Sequence, residues 1–132
     1  MRSERGELRR VHRPLSPGAR VLIESLADQS LEAIPEALGA RVDRLVRRES
    51  NDFRLDLDRL DEAVPKGFTL LVFTNLHNAS GAALDAPTVR GIADLALDRG
   101  FYVRVDEIFR ELAFDHEPPT MAGLHEVSRG LR

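Results

Sequence analysis

Phe68-Thr69-Leu70-Leu71-Val72-Phe73 runs straight into Thr74-Asn75-Leu76-His77-Asn78-Ala79-Ser80-Gly81, and the reading of that junction decides the fold. Six largely apolar residues, rich in branched and aromatic side chains and followed at once by turn formers, read as a buried strand. A helix follows. Asp85 and Pro87 suit its opening turn, Val89, Ile92, Ala93 and Ala96 form one apolar stripe, and Gly100 supplies the stop. Phe101 to Val105 is then a second strand, ending in Asp106-Glu107. A strand, helix, strand unit crosses over right-handed and makes its two strands parallel, so both strand ends emerge on one edge of the sheet. In open α/β sheets that edge is where ligands bind.

The upstream sequence extends the same pattern. Ser16-Pro17-Gly18 turns into the short apolar strand Val21-Leu22-Ile23, which Glu24 ends. Leu31, Ile34 and Leu38 recur at helical spacing before Gly39, and Pro35 inside that stretch predicts a kink or a restart. Arg41 to Val46 reads as a mostly polar strand near a sheet edge. Asp56 can cap a helix carrying Leu57, Leu60 and Val64 inward, closed by Pro65-Lys66-Gly67. Leu8, Val11 and Leu15 give residues 1–15 one narrow apolar stripe, so the expected organisation is an N-terminal helical segment, 1–15, followed by one α/β domain, 16–132. Past Phe109 the expectation is a loop around Asp115-His116-Glu117-Pro118-Pro119 and a short apolar stretch from Met121 to Leu124.

Composition narrows the function classes. The chain has 132 residues, 42% of them apolar and 31% charged, which suits one globular domain. A net charge of −3 argues against nucleic acid or an anionic membrane as partner. No apolar run approaches a membrane span and the N-terminus lacks the apolar core of a signal peptide, so a cytoplasmic protein is expected. The chain has no cysteine, which removes disulfide and thiolate chemistry. Lys66 is the single lysine, and arginine cannot stand in for a free amine.

Two strand-end groups carry the sharpest chemical reading. With their strands adjacent or one apart, Asn78 and Asp106 can grip a flat polar ring, the carboxylate pairing with a protonated ring nitrogen and the amide donating to a ring oxygen. Other readings are weaker. Asn78 also suits a simple turn. Asp106-Glu107 resembles a nucleotide-site acidic pair, but no Gly-x-x-x-x-Gly-Lys loop accompanies it. Glu24 and Asp106 make only a thin pair for magnesium. His12, His77, His116 and His125 lack metal-ligand spacing and read as solvent or loop histidines, with His77 packed beside its loop. Arg44, Arg47 and Arg48, with Glu49 and Asp52 close behind, read as a solvated surface.

These residues resemble a family, the class I and II aminotransferases of fold type I, which depend on pyridoxal 5′-phosphate. Pro17-Gly18-Ala19-Arg20-Val21-Leu22-Ile23-Glu24 is similar to the family's Pro-Gly-Asp turn and Val-Leu-Val-Glu strand, and Ala37-Leu38-Gly39-Ala40 to an Ala-Leu-Gly-Ala helix end. Asn75-Leu76-His77-Asn78-Ala79-Ser80-Gly81 is similar to Asn-Pro-His-Asn-Pro-Thr-Gly, without its prolines, and Asp106-Glu107-Ile108-Phe109 to Asp-Glu-x-Tyr, without its hydroxyl. The resemblance implies a three-layer α/β/α sandwich with a mainly parallel sheet, a fragment of the aminotransferase large domain. It implies that Asn78 bonds the cofactor's phenolic oxygen and Asp106 its pyridine nitrogen. It further implies amino-group transfer between an amino acid and a 2-oxo acid, in a homo-oligomer, commonly a dimer.

The departures shape a second expectation. The family's covalently attached lysine lies in a Ser-x-Ser-Lys segment downstream of the matched region, and Lys66, in a turn leading into the amino end of a strand, is not that residue. The phosphate loop and ring-stacking aromatic are not recognised within Met1 to Ser16, nor is the family's substrate-carboxylate arginine. The chain alone is therefore expected to be inactive. Its rival reading is a noncatalytic relative serving as an interaction or oligomerisation domain.

Overall fold

The computed structural model describes residues 16–25, 29–64, 68–78, 80–114 and 118–120. The N-terminal helical segment, Lys66, the loop at Asp115 to Glu117 and the stretch from Met121 lie outside them, as do His12, His116 and His125. Four parallel strands form one sheet: β1 (Arg20–Glu24), β2 (Arg41–Leu45), β3 (Leu70–Thr74) and β4 (Tyr102–Asp106), in the order β2-β1-β3-β4. Three helices connect them: α1 (Gln29–Ala37), α2 (Leu57–Ala63) and α3 (Ala86–Arg99).

Strand order and handedness fix which helix covers which face. The step from β1 to β2 runs one way across the sheet, whereas β2 to β3 and β3 to β4 both run the other way. Right-handed crossovers then put α1 on one face and α2 with α3 on the opposite one. The core divides accordingly. Leu22, Leu71 and Phe73 pack with Leu60 of α2 and with Val89, Ile92 and Ala96 of α3, while Val21, Ile23, Leu70 and Val72 pack with Leu31 of α1. Alternate residues of each central strand serve opposite layers, and every residue of β3 is buried. The expected three-layer α/β/α sandwich with a parallel sheet is present.

Local chemistry sets the boundaries. Asp85 caps α3 by accepting from the Thr88 amide at 2.8 Å, and the Thr88 bonds hold its carboxyl below the usual carboxylate range. Gly100 ends the helix at φ 73°, a left-handed conformation that suits glycine. Asp56 caps α2, accepting from the amides of Asp58 and Arg59. Pro35 produces no restart: α1 runs through it as one helix, without a proline N–H to donate to the Leu31 carbonyl, and ends two residues later at Ala37. β2 is an edge strand, mostly exposed with only Leu45 buried, as its polarity predicts. On its exposed side Arg44 pairs with Glu32 at 2.7 Å.

Candidate functional site

The carboxyl ends of β1, β3 and β4 converge on one rim, with the chain just past β2 joining them. The rim between β1 and β3 is where strand order reverses, the position at which open α/β sheets usually offer a crevice. Here protein groups fill it. Glu24, fully buried at the end of β1, accepts from the Thr74 amide at 2.5 Å and from the Thr74 hydroxyl through the same oxygen, Oε1. Its other oxygen faces the Arg47 guanidinium at 2.6 Å, and the Arg47 side chain is only 1% exposed. Arg47 also donates to the Thr74 carbonyl at 3.3 Å and to the Phe53 carbonyl at 3.4 Å. Burial pulls the guanidinium below its ordinary value and Glu24 opposes that pull. An arginine stays charged under such conditions, so the site holds an ion pair.

The loop after β3 is tied down in steps. The Asn75 amide donates to the Asp106 carbonyl, extending the β3 to β4 ladder by one residue, and the Asn75–Leu76 peptide is cis. The Asn75 side chain accepts from the Leu84 amide at 3.1 Å and donates to the Pro119 carbonyl at 3.2 Å. His77, 1% exposed, stacks against Phe53 with ring centroids 6.1 Å apart. Its Nε2 lies 3.4 Å from the Ser25 carbonyl and its Nδ1 2.7 Å from the Ser80 hydroxyl. A carbonyl only accepts, so Nε2 carries the proton and Nδ1 accepts from Ser80. Burial, reinforced by the Arg47 charge and opposed by Glu24, pushes the imidazole below its ordinary value and keeps it neutral. Asn78 donates its amide to the Thr74 hydroxyl at 3.1 Å.

The β4 end of the rim is built differently. Asp106 is half-buried, and its Oδ1 accepts from the Ile108 amide at 3.0 Å. Register pairs Asp106 directly with Thr74, so Asn78 and Asp106 follow adjacent strands on the same rim, the nearer of the two arrangements the sequence allows. Asn78 is exposed. Beyond β4, Thr120 donates to Glu107 at 2.6 Å and Arg110 to the Pro118 carbonyl at 2.9 Å, bringing residues 118–120 back alongside.

One reading of the sequence needs correcting. Arg47 is not part of a solvated arginine surface: the chain leaving β2 turns over the rim and carries Arg47 inward, while Arg48 stays exposed. His77 packs beside its loop as expected, and Phe53 and the β1 end cover it. Glu24 and Thr74 complete a buried network that sequence reasoning missed. Its one legible sign is a charged residue closing an otherwise apolar strand. Among the described residues no group of three or more His, Asp or Glu side chains is arranged to hold a metal, and no helix is long and apolar enough to cross a membrane.

Residues 10–131 match the family model for aminotransferase class I and II. The chain belongs to that family. Arginine–pyruvate transaminase of Pseudomonas aeruginosa is 30% identical over 110 residues, covering 83% of this chain and 28% of that relative. Among solved structures, N-succinyldiaminopimelate aminotransferase from Mycobacterium tuberculosis superposes with a TM-score of 0.79 at 27% identity, covering 92% of this chain and 33% of that one. A Thermus thermophilus aspartate aminotransferase variant gives a TM-score of 0.81 at 22% identity over 91% of this chain and 33% of its own, which speaks to the fold alone. The chain thus spans between a quarter and a third of the aminotransferases it matches, and what it matches is a segment of their large domain.

Proposed function

We propose that these residues form the cofactor-ring cradle of an aminotransferase that moves an amino group between an amino acid and a 2-oxo acid. The observation that carries the reading is the parallel register of Thr74 with Asp106, since the loop bearing Asn78 leaves β3 on the same rim where Asp106 ends the adjacent strand. The donor set suits pyridoxal 5′-phosphate. Asp106 offers a carboxylate whose Oδ2 has no hydrogen bond among the described residues, matched to a protonated pyridine nitrogen, and Asn78 offers an exposed amide to a ring oxygen. When bound, the cofactor supplies an electron sink for the substrate's amino carbon. Asp106 would hold the proton on the ring nitrogen and Asn78 would orient the ring, while Glu24, Arg47 and His77 are themselves buried along the same rim.

The reactive amine is a separate matter. Lys66, the one lysine in these 132 residues, is outside the described residues, and we assign it no part in the site. Mixing the chain with pyridoxal phosphate tests this. The expected result is saturable binding weakened about tenfold by Asp106→Asn, as for loss of one charge-assisted hydrogen bond, without a stoichiometric absorption band from lysine attachment. A stoichiometric band abolished by Lys66→Ala, or affinity indifferent to Asp106, contradicts the reading. A cytoplasmic location and a homo-oligomer belong to the same proposal.

A second reading has its own observation. Ile108, Phe109, Leu112 and Phe114, all exposed, follow edge strand β4, and such apolar surface favours an interaction or oligomerisation role. Sedimentation across a concentration series tests it: self-association lost on Phe114→Ser supports it, and a monomer at high concentration rejects it.

A further inference from the structure

The Thr74 hydroxyl has one proton to give and gives it to Glu24, which leaves its lone pairs to receive the Asn78 amide at 3.1 Å. Glu24 Oε1 takes both Thr74 donors, and Glu24 Oε2 is held by Arg47, whose guanidinium also reaches the Thr74 carbonyl. The Asn78 amide thus donates to Thr74 and Thr74 donates to Glu24, which Arg47 holds from the other side, so a chain of hydrogen bonds links the first exposed residue of the loop to the buried charge pair. The pair sits at the strand-order reversal, where β1 runs beside β3.

We propose that the buried Glu24–Arg47 pair is a positioning device for the rim loop: by fixing Thr74 it fixes the hydroxyl on which the Asn78 backbone rests. The inference deepens the cofactor reading and rests on it for its functional meaning. Glu24 and Arg47 are positioning residues here, since neither is exposed enough to touch a ligand. A carboxylate suits the task because it accepts two donors on one oxygen while its charge holds the guanidinium on the other.

Amide hydrogen exchange of the whole chain tests the device directly. Thr74→Val removes the hydroxyl at constant volume, and Thr74→Ser keeps it. The expected result is that Asn78 amide exchange rises about fivefold or more in Thr74→Val, while the Val72 amide within β3 changes far less, and that Thr74→Ser returns Asn78 to near the wild-type rate. Glu24→Gln, if it folds, raises Asn78 exchange in the same sense. Pyridoxine 5′-phosphate, which has no aldehyde and reads the ring grip without lysine attachment, should bind Thr74→Val several-fold more weakly and Thr74→Ser normally. Unchanged Asn78 exchange in Thr74→Val, or a rise matched at Val72, overturns the positioning role. No pyridoxine phosphate binding to the wild-type chain would sink the cofactor reading instead, and the exchange rates would still decide the positioning claim.

Discussion

The β1–β3 stretch of the rim and its β4 end share one sheet edge but are built to opposite specifications. At β1 and β3 a glutamate, an arginine, a threonine and a histidine are sealed from water, with Glu24 paired to Arg47 and bonded by Thr74, and His77 set against the Ser25 carbonyl. At β4 an aspartate stays half-buried with one oxygen engaged, and Asn78 in the loop after β3 is exposed. The strand-order reversal, where an open α/β sheet commonly receives its ligand, is here occupied by the chain's own ion pair. Polar groups available to a ligand lie one strand further along. Burial therefore separates two jobs that look alike in sequence, since both ends close an apolar strand with an acidic residue.

The largest effect that would test this contrast is on stability. Arg47→Met leaves Glu24 buried without its counter-charge and should cost about 3–5 kcal/mol in urea unfolding, whereas the double variant Glu24→Leu with Arg47→Met should recover most of that loss. A single-variant cost under about 1 kcal/mol would mean that water reaches the pair, and the contrast would dissolve.

Asp85→Ala, at a cap far from the pair, should cost about 1 kcal/mol and calibrates the rim against ordinary helix capping. Because the Thr88 bonds lower the Asp85 value on folding, that contribution is present above the unfolded value near pH 4 and fades as pH falls through the lower, folded value. Acid unfolding curves of the two proteins should converge there.

A smaller effect is expected at His77. Its value is lowered in the fold, so between the unfolded value of about 6.5 and the folded one the unfolded chain binds more protons. Stability should then fall as pH drops from about 7.5 to about 5.5, a range where carboxylates stay ionised. The melting temperature of His77→Gln should vary less across that range; an equal slope would show that His77 is not the group responsible.

The smallest change in stability belongs to the open side. Asp106→Asn keeps the acceptor for Ile108 and should shift stability by no more than about 0.5 kcal/mol, which sharpens the contrast if ligand affinity falls at the same time.

Much of the architecture was legible because local signals agreed with global ones. Phe68 to Phe73, the Asp85 cap, the stripe of Val89, Ile92, Ala93 and Ala96, and Gly100 each specify the same strand, helix, strand unit, and the polar residues of Arg41 to Val46 mark the edge. The motifs containing Asn78 and Asp106 were legible for the same reason, as they sit beside those elements. The inner network was not. Arg47 stands in a run with Arg44 and Arg48, and only the path of the chain over the rim turns one of the three inward. Its partner is contributed by another strand, so no local spacing reports the pair. His77 likewise owes its burial to Phe53 and Ser25, both distant in sequence.

The most direct measurement is an amide shift map of the chain titrated with pyridoxine 5′-phosphate. The expected result is a saturable set of perturbations at Asn78, Ser80, Asp106 and Glu107, lost in Asp106→Asn, with the amino-end residues Arg20, Arg41 and Tyr102 unmoved. Perturbations centred on those amino-end residues, or a rim that does not respond at all, would contradict a cofactor cradle at the carboxyl ends of β3 and β4.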